Sequence, residues 1–230
     1  MHSKTDLLAQ FVANPWFAAL PLAERRALLE AGDVVTLRAG EVLYRKGDAG
    51  SSFIGVAAGG FKVSTLGEDG REAILSVVES GNWFGEASML DGLPRPHDAT
   101  AMADTTVVAI AAPAFEQLML RPAFARAMGV LLSSRVRALY GLVEDTMLRS
   151  TRTRITRRLL SLARGDATLA AAARARLVVS QEALAMMLGI TRQTLSKELK
   201  VLVKEGVLSL GYGRIDILQM SELERRAARA

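Results

Sequence analysis

The chain has 230 residues, no cysteine, two histidines and a formal net charge of +5. That length holds one large domain or two modest ones, and the absence of cysteine excludes disulfides, cysteine-ligated zinc, iron–sulfur clusters and thiol nucleophiles. No apolar run approaches the roughly 18 residues of a spanning helix, and Lys4, Asp6, Gln10 and Asn14 interrupt any signal-peptide core, so a soluble, cytoplasmic protein with no membrane partner is expected.

Residues 6–31 read as helix, cut into short pieces by Pro15 and Pro21. From Asp33 to Ile110 the texture changes to short apolar or alternating segments such as "EVLY", "FIGVAAG", "FKVSTL" and "TTVVAI", with glycine near most breaks. This spacing suits an antiparallel roll or barrel, and "LGEDGRE" reads as a hairpin whose Asp69-Gly70 supplies positive φ. Pro113 fits the first turn of a helix that Pro122 interrupts. Beyond Pro122 helix continues to about Ser150, with Leu132, Val136, Leu139 and Val143 drawing one apolar seam. The seam predicts a parallel homodimer.

Ser150 or Thr151 caps a further helix, basic on one face and carrying Ile155, Leu159, Leu160 and Leu162 on the other. The alanine-rich "DATLAAAARAR" reads as a connection, and "LVVS" as a short strand. Charge divides along this line. Residues 1–148 carry 13 Lys+Arg against 17 Asp+Glu, a balance of −4, and residues 149–230 carry 16 against 7, a balance of +9. A basic C-terminal part points to a polyanionic partner.

"QEALAMMLGITRQTLSKELKVLVKEG", Gln181 to Gly206, contains two helical patterns separated by "LGIT". Ser180 caps the first and Thr191 the second, Gly189 permits a left-handed turn, and Ala185 is small where the helices cross. Leu184, Leu188, Ile190, Leu195, Leu199 and Leu202 supply the shared core. This is a helix-turn-helix, with "LSLGYG" and "RIDILQM" forming a two-stranded wing. Arg192, Gln193, Ser196, Lys197 and Lys200 face outward on the second helix. Arg192 suits guanine, Gln193 suits adenine or accepts from cytosine, Thr191 and Thr194 suit phosphate, and Lys197 and Lys200 add positive charge, Lys197 as a further base reader.

A glycine-punctuated roll, a seam helix and a winged helix-turn-helix together resemble the Crp/Fnr family of bacterial transcription regulators. The resemblance rests on "LRAGEVLYRKGD", "GNWFGEASMLDGLPR" and "GITRQTLSKELKVL". It implies an α+β chain: an antiparallel β-roll of the cyclic-nucleotide-binding, jelly-roll-like type at 1–112, a dimerisation helix at 113–149 and a winged helix-turn-helix DNA-binding domain at 150–230. It also implies an effector site in which Glu86, preceded by Gly85, binds the ribose of cyclic AMP and Arg95 binds its phosphate. The next family position, a serine or threonine, falls on Pro96, which has neither amide hydrogen nor hydroxyl. The adenine-reading pair falls near Leu139-Tyr140. Cyclic AMP is one expected effector; a vestigial pocket in which Arg95 pairs with Glu86, with constitutive DNA binding, is the alternative.

What the resemblance implies is a non-enzymatic regulator. It is a homodimer on palindromic double-stranded DNA, with recognition helices about 34 Å apart, a hinge near Arg149–Thr153, and RNA polymerase as its further partner. Gln193 stands where the family often has glutamate, so the operator departs from the usual half-site there. Glu198 departs from an apolar position and either faces solvent or pairs locally. His97, beside Asp98, reads as a hydrogen-bonded structural residue and not a haem ligand. Two other classes are a metal-dependent cupin, for which two histidines are too few, and a ligand-binding module that signals through protein contacts.

Overall fold

The computed structural model describes residues 4–165 and 173–228, so part of the alanine-rich connection lies outside the described residues. The chain divides into two compact units, Met1–Thr65 with Leu75–Val136, and Leu66–Ile74 with Arg137–Ala230.

Helices α1 (Lys4–Phe11), α2 (Pro15–Ala19) and α3 (Leu22–Glu30) open the chain. They break where the prolines and Asn14 require: the Asn14 side chain accepts the Trp16 amide proton at 2.9 Å, and Pro15 occupies a first-turn position where its missing N–H costs nothing. Strands β1 (Gly32–Leu37), β2 (Val42–Tyr44), β3 (Ser52–Ala58), β4 (Gly60–Leu66), β5 (Glu72–Glu79) and β6 (Trp83–Phe84) follow. After them come α4 (Glu86–Asp91), β7 (Asp98–Ala101), β8 (Thr105–Ala111), α5 (Ala112–Met119) and α6 (Pro122–Leu148). The strands form two four-stranded sheets, ordered β1-β8-β3-β6 and β2-β7-β4-β5.

Strand β3 shows why this is a roll with two cores. Successive side chains alternate faces, so Ile54 and Val56 join Phe61, Phe84, Ala99 and Val107 in one buried cluster, while Phe53 and Ala57 join Phe11, Phe17, Trp83, Phe115 and Phe124 in the other. A β-carbon on Gly55 would lie 2.7 Å from the Trp83 ring, so that close approach requires glycine. The β4–β5 hairpin turns on Gly70, at φ 76°, with the Gly67 amide donating to Arg71 O at 2.8 Å. Phe124, Met128 and Leu131 bury one face of α6 at its N-terminal end.

The remaining elements are α7 (Thr151–Ala163), β9 (Arg176–Leu177), α8 (Gln181–Leu188), α9 (Arg192–Lys204), β10 (Leu208–Gly211), β11 (Arg214–Ile217) and α10 (Met220–Ala228). Ser150, not Thr151, caps α7, accepting from the Thr153 amide at 3.2 Å. The break between α6 and α7 is therefore only Arg149-Ser150. The strand expected over Leu177–Ser180 is displaced to Arg176–Leu177, where it pairs with β11; the wing is part of a three-stranded sheet ordered β10-β11-β9. Val178 is exposed, so its apolar character reflects no strand packing.

Candidate effector site and nucleic-acid interface

Strand β6 is followed by Gly85 at φ 89°, a left-handed residue that swings the chain into α4 and sets Glu86 at its first turn. Glu86 is 3% exposed. Arg135, on α6, holds one carboxylate oxygen through Nε at 3.0 Å and donates from Nη2 to Trp83 O at 2.5 Å, while Glu86 Oε2 is buried without a partner.

Arg95 is 2% exposed and does not pair with Glu86. Its Nη1 donates to Gly85 O at 2.8 Å and its Nη2 to Ser52 O at 2.5 Å, leaving Nε buried and unpartnered. The guanidinium lies 4.3 Å from the centre of the Tyr44 ring, a cation–π contact. Backbone bonds pin the residue: Arg95 N donates to Asp48 O at 2.7 Å and Gly47 N to Arg95 O at 2.8 Å. Burial lowers the Arg95 pKa, opposed by the charges of Tyr44, Glu86 and Asp48. Burial likewise pushes the Tyr44 phenol up to about 12, against the pull of Arg95. Gly85, Glu86 and Arg95 are thus brought together, joined by Arg135 and Tyr44. Neither of these two was legible in the sequence: Arg135 is one of several arginines on a long helix, and Tyr44 fits the strand alternation of "EVLY".

The expected hydrogen bonding of His97 is not complete, because its Nδ1 is buried without a partner. Burial lowers its pKa, aided by Lys46 and opposed by Asp98. Among the described residues no cluster of three or more His, Cys, Asp or Glu could hold a metal. Leu139 and Tyr140, at the expected base-reading positions, are exposed.

In the helix-turn-helix, Ser180 Oγ accepts from Ala183 N at 3.0 Å and Thr191 Oγ1 from Thr194 N at 3.1 Å, so both expected caps form. Gly189 closes α8 at φ 64°. Leu184, Ala185, Leu188, Leu195, Leu199 and Leu202 are buried and Ile190 is half-buried. Arg192, Gln193, Thr194, Lys197 and Lys200 are exposed along α9 and Ser196 is half-buried. Among the described residues, Arg192, Lys197 and Lys200 have no ion-pair partner, which leaves a cationic face. Glu198 neither stands free in solvent nor pairs locally: its Oε2 accepts at 2.7 Å from the Nε of Arg152, 46 residues away on α7.

A two-sheet roll with a buried acid–arginine site and a cationic winged helix-turn-helix define a DNA-binding transcription regulator with an effector domain. Residues 34–121 match the cyclic nucleotide-binding domain and 153–226 the Crp-like helix-turn-helix domain. The chain is 30% identical to the cyclic AMP receptor protein of Thermus thermophilus over 82% of its length and 85% of that protein's. It is 26% identical, over the same shares, to a CRP-like cAMP-activated global transcriptional regulator of Mycobacterium tuberculosis. Its fold is similar to that of FixK2 from Bradyrhizobium japonicum, with a TM-score of 0.75 at 21% identity over 86% of this chain and 98% of that one. The chain belongs to the Crp/Fnr family. It is a non-enzymatic regulator of transcription that binds DNA through its Crp-like domain. No helix among the described residues is long and apolar enough to cross a membrane.

Proposed function

We propose that this regulator is a homodimer whose DNA binding is gated by a cyclic nucleotide held between Glu86 and Arg95. The observation that carries the reading is the pair of buried, unsatisfied atoms facing opposite chemistry: an acceptor, Glu86 Oε2, and a donor, Arg95 Nε. Buried polar atoms without partners are rare and call for one. A ribose hydroxyl satisfies the acceptor and a cyclic phosphate the donor. Arg135 engages the other carboxylate oxygen, Oε1, and so leaves Oε2 as the acceptor. Pro96 contributes no donor, and Leu139-Tyr140 replaces the two short hydroxyls of the family's adenine-reading pair, so cyclic AMP is bound with less discrimination than a fully furnished site provides.

The exposed Val136, Leu139 and Val143 supply the dimer seam, continued from the half-buried Leu132. On each subunit, Arg192, Gln193 and Lys197 read base edges, Thr191 and Thr194 hold phosphate, and Ser196 and Lys200 complete the face. Two such helices meet successive major grooves of a palindrome, about 34 Å apart. The division at 1–112, 113–149 and 150–230 assigns effector binding, dimerisation and DNA binding in turn, with RNA polymerase meeting the DNA-bound dimer. A nucleotide gates this assembly only by binding one arrangement more tightly than the other.

The test is selection of bound fragments from a genomic DNA pool by purified protein, with and without cyclic AMP or cyclic GMP. Enrichment of a palindrome only with a nucleotide is the expected result. Equal enrichment without one retains the DNA reading and removes the gate.

A further inference from the structure

The recognition helix carries a carboxylate where it meets a polyanion. Glu198 sits one turn beyond Thr194 on the same flank of α9, the flank that begins with the exposed Thr191 and Thr194 hydroxyls. An acidic group there repels phosphate unless something neutralises it. Arg152, in the first turn of α7, does so: its Nε donates to Glu198 Oε2 at 2.7 Å, with the arginine side chain 49% exposed and the glutamate 20%.

The geometry of that pair leaves a second use for the arginine. A guanidinium has five N–H donors in a fixed fork, and Glu198 engages only Nε. Among the described residues the two terminal nitrogens of Arg152 have no partner. The backbone that presents Arg152 is itself held firmly. Ser150 caps the turn, and Arg154 from the same turn donates to Leu188 O at 2.7 Å, closing the C-terminal end of α8. The first turn of α7 thus grips both helices of the helix-turn-helix, by Arg154 on α8 and by Arg152 on α9.

We propose that Arg152 is a phosphate-binding residue that extends the DNA interface beyond α9, and that Glu198 is a positioning residue that holds its guanidinium in place. The Nε of the arginine is spent on Glu198 and its terminal nitrogens are offered to the DNA backbone beside the Thr191–Thr194 row. A phosphate contact carries no sequence information, so Arg152 adds affinity on every sequence and fixes register. The inference rests on DNA binding through α9 and is independent of which effector fills the roll.

The experiment is fluorescence anisotropy of full-length wild type, Arg152→Gln, Glu198→Gln and the double variant. The probes are two labelled 30-base-pair duplexes, one carrying the selected palindrome and one of random sequence, over a series of KCl concentrations. Each phosphate that the protein no longer neutralises lowers the slope of log K against log salt by about 0.9, so Arg152→Gln lowers it by roughly 2 per dimer and weakens binding to both duplexes about equally. Glu198→Gln discriminates by sign. If Glu198 positions Arg152, its removal weakens binding by roughly 2- to 5-fold even though a negative charge has gone, and the double variant binds no worse than Arg152→Gln, as expected for coupled residues. Tighter binding by Glu198→Gln, or an unchanged salt slope in Arg152→Gln, overturns the proposal. Failure of wild type to bind either duplex overturns the recognition-helix reading itself and is thereby distinguished. Urea midpoints of all four proteins, expected to be close because the pair is partly exposed, separate a weakened interface from a weakened fold.

Discussion

Substituting Gly85 by alanine strikes the effector site through its backbone. At φ 89° an alanine there is strained, at about 1–2 kcal/mol for an L-residue in a left-handed conformation. Its β-carbon would also lie 2.7 Å from Arg95 Nη1 and 3.1 Å from Ser52 O, the donor and the acceptor of two different bonds that seat the guanidinium. Breaking one hydrogen bond of a charged, buried group costs about 1.5–3 kcal/mol, so with the backbone strain the total is about 2.5–5 kcal/mol. Gly92→Ala is the control: it sits at φ 69° with nothing within 4 Å of an added β-carbon, and it carries the backbone cost alone. Urea denaturation of the three proteins measures the difference, expected at about 1.5–3 kcal/mol between the two variants. Gly85→Ala should also lose more than about 10-fold in nucleotide affinity, while Gly92→Ala should not. Equal destabilisation by the two substitutions, with equal nucleotide binding, would refute the argument that Gly85 is required by the seat of Arg95.

Gln193→Glu should move base preference at one operator position from adenine towards cytosine, since glutamate only accepts; repeated DNA selection with the variant checks this, and unchanged preference removes Gln193 from base reading. Leu139→Glu should weaken the dimer by roughly 10²- to 10⁴-fold. Each copy forgoes about 1.5–3 kcal/mol of apolar burial, and light scattering over a dilution series reads the outcome. His97 is held below its ordinary value of 6.5 by burial, so the unfolded chain binds a proton more readily than the folded one. Its contribution to stability is full above that value and is lost as pH falls from there through the lower folded-state value. The melting temperature of wild type should therefore fall more between pH 7.5 and 5.5 than that of His97→Gln, and parallel curves would refute the assignment.

The helix-turn-helix was the most legible part of the chain because its determinants are local. Ser180, Thr191 and Gly189 act within a turn or two of where they stand, and the burial of Leu195, Leu199 and Leu202 follows from helical spacing alone. The short apolar or alternating segments between glycine-rich turns likewise point to an antiparallel roll, since strand and turn patterns are read from near neighbours. The strand at Arg176–Leu177 was misplaced because "LVVS" is apolar for its own reasons, and only pairing with Ile215 and Asp216 decides where a two-residue strand lies.

The effector site shows the opposite balance. The motif around Gly85, Glu86 and Arg95 named three residues, but which partner each charge takes is settled across 43 to 51 residues of chain: Glu86 pairs with Arg135, and Arg95 turns to Ser52 O and the Tyr44 ring. The same holds for Arg152 and Glu198, 46 residues apart. Propensity, caps and hydrophobic period are properties of neighbours along the chain, so most elements and the family could be read from the order of residues alone. A buried charge takes whichever partner the packing brings within about 3 Å, and that was decided only by the tertiary structure.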